Sequence, residues 1–277
     1  MWKRVVAIQG ERGSFSEEAA YKLLGRSIRL LPCDTFAGAF DCVVKGRANV
    51  CLVPIENTLA GSVYEVYDLL LERNLHIIRE VHLRIAHCLI AFPETTWRNL
   101  QQVYSHPVAL AQCKGFFQNY PKIEKIPFYD TAGSVKMLAQ KRIPGAAAIA
   151  SRAAAAIYRA QVLRPHLEDL HQNYTRFLLL ARTPKVPVRG NKTSIVFSTA
   201  NVPGALFKCL SVFALREINL TKLESRPLRG RPWEYFFYVD FIGKVTDQRV
   251  RNTLNHLREV TDFLRVLGCY PSAATRK

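Results

Sequence analysis

The sequence has no run of about 18 apolar residues, the length a helix needs to cross a bilayer, so no membrane span is expected. Its seven cysteines, Cys33, Cys42, Cys51, Cys88, Cys113, Cys209 and Cys269, are scattered, odd in number and never arranged as CxxC, which argues against a disulfide framework. They read as small buried hydrophobes in a reducing compartment. The histidines lack ligand spacing: His82 and His87 stand five apart with no glutamate placed as in HExxH, so no metal is expected. Val5–Ile8 is too short for a signal-peptide core and no small-residue cleavage site follows, so the chain reads as cytoplasmic. Acidic residues are the scarce charge, 22 Asp plus Glu against 39 Lys plus Arg, a net +17. Residues 1–188 hold 24 bases against 15 acids, and residues 189–277 hold 15 against 7, so the excess is denser in the last third. The bases are spread singly, without a basic helix or an aromatic–basic RNP-like stretch. That points away from nucleic acid and toward an anionic small substrate.

What is present is a well-cored globular chain, 49% hydrophobic and 277 residues long, enough for one large domain or two. Val5–Ile8 reads as a strand buried on both faces. A turn with Gly10 and Gly13 follows, then Ser14 with Glu17 three later, a capping box that starts a helix. Strand, glycine turn and capped helix can point free N–H groups at an anion, or can be an ordinary βα turn. The pattern is not GxGxxG, so no dinucleotide is indicated. Alternating strands and helices continue, predicting parallel βαβ units whose ligands lie beyond the strand ends. Four polar clusters fall there: Glu56-Asn57-Thr58, Ser105 to Gln112, Asp130 to Ser134, and Asn173 to Phe177. Gln112 lies seven after Ser105, so both can share a helix face. The alanines 153–156 read as close helix–sheet packing. Residues 182–191, with prolines, a glycine and bases, read as a linker. After it, strands and helices alternate as βαββαβ, a ferredoxin-like split unit too small to bury much alone, so pairing with a second copy is expected.

Seven pieces in order resemble the prephenate dehydratases. They are Gly10-x-x-Gly13-Ser14-Phe15-Ser16, Val53-Pro54-Ile55-Glu56-Asn57-Thr58, Ser105-His106-Pro107, Gln112-Cys113, Asp130-Thr131-Ala132-Gly133-Ser134, Ala148-Ile149-Ala150-Ser151 and Thr175-Arg176-Phe177. The last third is similar to an ACT domain of the phenylalanine-sensing kind, through Gly204-Ala205-Leu206 and Glu224-Ser225-Arg226-Pro227. Thr58 stands where the family often has serine and Val108 where glutamine is usual. No mutase-like segment precedes residue 5, which suggests the single-function form.

The resemblance implies an α/β fold: a catalytic domain over 1–185 with two lobes like a type II periplasmic binding protein, roughly 1–80 with 160–185, and 81–159. A linker at 186–191 and an ACT domain at 192–272 follow. It implies loss of carbon dioxide and the ring hydroxyl from prephenate, giving phenylpyruvate, with no cofactor. Thr175 is then the catalytic residue. An unperturbed threonine is too weak an acid to protonate freely, so its hydroxyl is expected to hydrogen-bond the departing hydroxide. Asn57, Thr58, Ser105, Gln112, Thr131, Ala132, Gly133, Arg176 and Phe177 are the expected substrate contacts. Arg176 is either a carboxylate clamp or an ion-pair partner of Glu56. L-Phenylalanine is the expected effector, bound between two ACT units by Gly204, Ala205, Leu206, Asn219, Leu220, Glu224, Ser225, Arg226 and Pro227. Arogenate dehydratase and a non-catalytic amino-acid sensor are the alternatives.

Overall fold

A computed structural model describes residues 4–184, 186–187, 189–228 and 230–273. Parts of the expected linker and of the loose end at 272–277 lie outside the described residues. The chain divides into two compact units, Met1–Arg73 with Val81–Leu178, and Asn74–Glu80 with Leu179–Lys277.

The first unit holds two lobes. The first lobe runs β1 (Arg4–Gln9), α1 (Phe15–Leu24), β2 (Ile28–Cys33), α2 (Phe36–Val44), β3 (Val50–Asn57), the two-residue β4 (Gly61–Ser62), α3 (Tyr64–Glu72) and β5 (His76–Arg84), whose residues up to Glu80 belong to the second unit. The second runs β6 (Cys88–Ala91), β7 (Gln102–Ser105), α4 (Pro107–Ala111), α5 (Lys114–Asn119), β8 (Glu124–Pro127), α6 (Thr131–Lys141), β9 (Ala146–Ala150), α7 (Arg152–Ile157) and β10 (Gln161–Arg164). β11 (Tyr174–Ala181) then returns to the first sheet, whose order is β2-β1-β3-β11-β5. β1 pairs in parallel with both β2 and β3, as the alternation predicts. The second sheet, β10-β6-β9-β7-β8, is mixed: β7 is parallel to β8 and β9, but β6 is antiparallel to β9.

The long extended stretch at 75–92 is broken into β5 and β6. At the break the Ile85 N–H donates to the Asn173 carbonyl at 2.8 Å. In β9 every residue is buried, because side-chain alternation feeds two cores. Ala146, Ala148 and Ala150 pack with α6 and α7 on one face, while Ala147 and Ile149 pack with α4 and α5 on the other. Alanines there let the helices approach closely.

The start of α1 shows local sequence at work. Ser14 Oγ accepts the Glu17 N–H at 3.4 Å, one half of the capping box. The return half differs from the expected form: buried Glu17 takes the Gly13 N–H at 2.7 Å and Arg12 Nε at 3.1 Å. Gly13 sits at φ +86, and a Cβ there would lie 2.6 Å from the Ala154 Cα. The alanine run of α7 therefore packs on this turn as well as on its own sheet, and Ser151 Oγ donates to the Gly13 carbonyl at 2.6 Å. These contacts fasten the second lobe to the first.

The second unit contains β12 (Lys192–Ser198), α8 (Ala205–Ala214), β13 (Leu220–Pro227), β14 (Tyr235–Ile242), α9 (Gln248–Val260) and β15 (Phe263–Tyr270), the predicted βαββαβ order. Its antiparallel sheet runs β13-β14-β12-β15, leaving β13 at one edge. Ile195, Phe197, Val239 and Phe241 meet Val212, Phe213, Leu254 and Leu257 of the two helices in one core. Buried Lys192 places Nζ 3.0 Å from Glu80 and 3.8 Å from Asp240.

Candidate active site

β3 emerges from the core at Asn57, and β11 enters it at Thr175 on the neighbouring strand. Their ends open on a cavity of about 400 Å³ in the first unit, within the range of a small-molecule site. Asn57, Gln112, Thr131, Thr175 and Phe177 line it, together with Gln9, Ser14, Phe15, Phe36, His87, His106, Tyr129 and Asp130.

Three amides form a closed ring beside the threonine. Asn57 Oδ1 accepts the Leu59 and Ala60 backbone N–H groups at 2.9 and 2.8 Å, which fixes which end of that amide is oxygen. The same oxygen accepts Gln112 Nε2 at 3.2 Å, so Gln112 presents its oxygen on the other side. That oxygen accepts Asn173 Nδ2 at 2.9 Å, and Asn173 Oδ1 closes the ring by accepting Asn57 Nδ2 at 2.7 Å. Two backbone N–H groups thus set the hydrogen polarity of the whole ring.

Two consequences follow. Asn57 Nδ2 also donates to Thr175 Oγ1 at 2.9 Å, so the threonine accepts from the ring and does not spend its own proton on that bond. At the far side, His87 Nε2 lies 2.9 Å from Gln112 Oε1 and must be its donor, because that oxygen cannot donate. His87 Nδ1 is then a bare acceptor, buried and without a hydrogen-bond partner. Burial pushes the His87 pKa below its ordinary value, the Gln112 hydrogen bond opposing. The ring stands edge-on to Phe15, with centroids 5.5 Å apart. Histidine spacing along the chain offers no sign of this role.

Among the lining residues there is no lysine or arginine. Negative groups would instead meet hydroxyls, amides and the starts of α1 and α6, whose first residues line the wall. The single lining carboxylate, Asp130, caps α6 through the Gly133 N–H at 2.9 Å and holds the Glu11 N–H at 3.1 Å. Burial raises its pKa, and those two N–H groups oppose the rise. Tyr129, beside it, is pushed up to about 12 by burial and by the Glu11 carboxylate that its hydroxyl donates to.

Five expected substrate contacts do not reach the cavity. Ser105 is fully buried and donates to the Ile149 carbonyl at 2.6 Å, so it anchors β7 rather than a ligand. The Thr58 hydroxyl donates to the Gln172 carbonyl and accepts the Tyr174 N–H, clamping β3 to β11. Ala132 packs in the core of the second lobe, and Gly133 serves through its backbone. Arg176 is 6% exposed and 3.8 Å from Glu56, which favours the ion pair over the carboxylate clamp.

In the second unit, Gly204 caps α8 at φ +79, and Ala205 and Leu206 open the helix. The Asn219 carbonyl accepts the Ile242 N–H at 3.0 Å, and Leu220, Glu224, Ser225, Arg226 and Pro227 lie along edge strand β13.

The cavity is thus a small-molecule pocket walled by hydroxyls, amides and the starts of two helices. Residues 6–185 match the sequence profile "Prephenate dehydratase", and the chain belongs to that family. It is 45% identical over 281 residues to "Arogenate dehydratase/prephenate dehydratase 2, chloroplastic" of Arabidopsis thaliana, covering 98% of this chain and 73% of that one. It is 46% identical over 283 residues to "Arogenate dehydratase 2" of Petunia hybrida, covering 96% and 71%. Prephenate dehydratase from Arthrobacter aurescens, solved with L-Phe, superposes with a TM-score of 0.89 at 32% identity, covering 96% of this chain and 90% of that one. A protein described as GqqA, a novel type of quorum quenching acylase, gives 0.89 at 33% identity and 98% of each.

The chain is thus a carbon–oxygen lyase of aromatic amino acid biosynthesis. It has the family's two-lobed periplasmic-binding-protein-like domain and a C-terminal ACT domain. Two expectations change. The cytoplasmic reading is overturned by relatives named as chloroplastic. The names of the plant relatives fit the arogenate alternative better than the expected prephenate.

Proposed function

We propose that the protein converts arogenate to phenylalanine, with prephenate as a lesser substrate, and that it works in a plastid. Carbon dioxide leaves from the ring carbon, its bonding electrons enter the ring, and hydroxide departs from the opposite carbon. Aromatisation drives the reaction. The protein therefore has to hold the substrate and stabilise the departing oxygen.

The observation that carries this reading is the direction of the Asn57–Thr175 hydrogen bond. It leaves the threonine proton available to a ligand, as stabilisation of a leaving hydroxide requires. Loss of one such donor typically costs about 10²–10³ in rate. Thr175→Ala should lose that much in kcat on arogenate, and Thr175→Ser should keep most of it. An alanine variant as active as the parent ends the assignment, as does a parent that turns over neither arogenate nor prephenate. An acyl-transfer reading is less favoured, because neither His87 nor His106 hydrogen-bonds a hydroxyl or thiol that it could activate.

The boundaries 1–185, 186–191 and 192–272 are kept as the proposed division into catalytic domain, linker and ACT domain. L-Phenylalanine is the proposed effector, bound where two copies bring the start of α8 beside β13. The left-handed Gly204 and the position of β13 at the edge of its sheet support it. Activity that does not respond to millimolar phenylalanine would oppose this.

A further inference from the structure

We propose that Cys33 and Cys42 form a modification site, at which a peroxide converts the two thiols to a reversible intrachain disulfide tying the end of β2 to α2. Their sulfurs lie 3.7 Å apart, and Cys51, close enough to feel both, is buried. Cys33 ends β2 and is half-buried, so an oxidant can reach it. Cys42 is buried in α2, whose start is held by Thr35 Oγ1 accepting the Gly38 N–H at 3.0 Å. A disulfide needs an S–S distance of about 2.05 Å, so the sulfurs must close by roughly 1.7 Å. Cys33 lies outside the helix, free of its rotamer restrictions, and supplies that movement.

The chemistry balances. Cys33 Sγ gives its proton to solvent and attacks one peroxide oxygen, forming a sulfenic acid and releasing hydroxide, which the proton converts to water. Cys42 Sγ then attacks the Cys33 sulfur, and the expelled hydroxide takes the Cys42 proton as a second water. Burial and contact with Cys42 push the Cys33 thiol up to about 12, so the thiolate is scarce near neutrality. The cross-link therefore forms slowly, and its rate climbs about tenfold per pH unit.

The bond is placed to affect turnover. The Cys33 carbonyl accepts the Gly10 N–H at 2.9 Å, at the head of the turn that leads to cavity-lining Ser14, and Phe36 at the start of α2 lines the same cavity. Closing the sulfurs pulls on both segments.

To test this, the reduced full-length protein is incubated with hydrogen peroxide at pH 7 and pH 8 and checked for retained circular dichroism. It is then denatured, alkylated and peptide-mapped. The expected result is a peptide linking Cys33 to Cys42, two fewer alkylated thiols, about tenfold faster formation at the higher pH, and full reversal by dithiothreitol. Dehydratase activity should fall several-fold in step with the link. Neither Cys42→Ala nor Cys33→Ser should lose activity on the same treatment. Alkylation of both residues after excess peroxide at pH 8 has been left until thiol loss stops overturns the proposal, as does a link from either one to Cys51. An equal activity loss in both variants overturns the effect on turnover. The peptide map does not depend on the substrate assigned above.

Discussion

Asn57→Asp changes one NH₂ to an oxygen and leaves size and shape alone, so it isolates hydrogen polarity. The new carboxylate still accepts from Leu59, Ala60 and Gln112, but it can no longer donate to Thr175 or Asn173. Thr175 must then turn its own proton toward position 57. Rotating the Asn173 amide would satisfy the new carboxylate, but it would set the Asn173 oxygen against Gln112 Oε1. Rotating Gln112 in turn would face its oxygen toward that carboxylate and its NH₂ toward the His87 donor. No set of flips repairs the ring. The rate cost should match loss of the threonine donor, about 10²–10³ in kcat, with about 1–3 kcal/mol of stability for each buried group left unpaired. Asn57→Ala removes the same donor but lets Thr175 keep its proton, so it should be the faster of the two variants in kcat at saturating arogenate. Lowering the pH toward the carboxyl pKa should partly rescue Asn57→Asp, because the protonated acid donates again. If Asn57→Asp turns over faster than Asn57→Ala at pH 7, or shows no acid-side rescue, the polarity argument is wrong.

Three further outcomes are expected. The unfolded chain takes up the His87 proton near pH 6.5 and the folded chain only below that, so His87 contributes stability above pH 6.5 that is lost as pH falls through the lowered folded pKa. His87→Phe should flatten this acid limb of Tm against pH and cost about 1 kcal/mol through the lost Gln112 bond. A limb of the same steepness in the variant would exclude His87 as its source. Glu80→Gln should cost about 2–4 kcal/mol in urea unfolding, less than full loss of a buried counter-ion because Asp240 stays 3.8 Å from Lys192; a change under about 0.5 kcal/mol would show the pair to be idle. Gly13→Ala meets both a left-handed backbone and the Ala154 Cα at 2.6 Å, and should lower Tm by several degrees and depress turnover. Unchanged Tm would mean that the contact relaxes at no cost.

The fold is legible where pattern is local. Apolar runs mark β3, β9 and β11, and Leu206, Leu210 and Phe213 spaced at helical intervals mark α8. Short elements without periodicity, such as α5 and β10, leave no such mark. At the site, Asn57, Gln112 and Thr175 stand out as lone polar groups at strand and helix ends, and the family motifs pick the same three. The ring that joins them spans 116 residues between Asn57 and Asn173, and no local spacing encodes such a bond. Ser105 misleads for a related reason. A hydroxyl at the end of a strand looks the same in sequence whether it meets a ligand or, as here, a carbonyl of another strand. His87 escapes a reading that judges histidines by metal spacing, because its partner is an amide.

The contacts between the lobes bear on how substrate enters and leaves. Gly13 is pressed on Ala154 and held by Ser151, while Glu11 is gripped by Lys136 at 2.7 Å and by Tyr129 at 3.2 Å. A solute-binding protein opens like a clam about a loose hinge, but here the shell is riveted along its rim. The expected way in is the exposed lip at Thr58–Gly61, whose Ala60 and Gly61 line the cavity. Stiffening that lip should slow product escape long before it disturbs the chemistry.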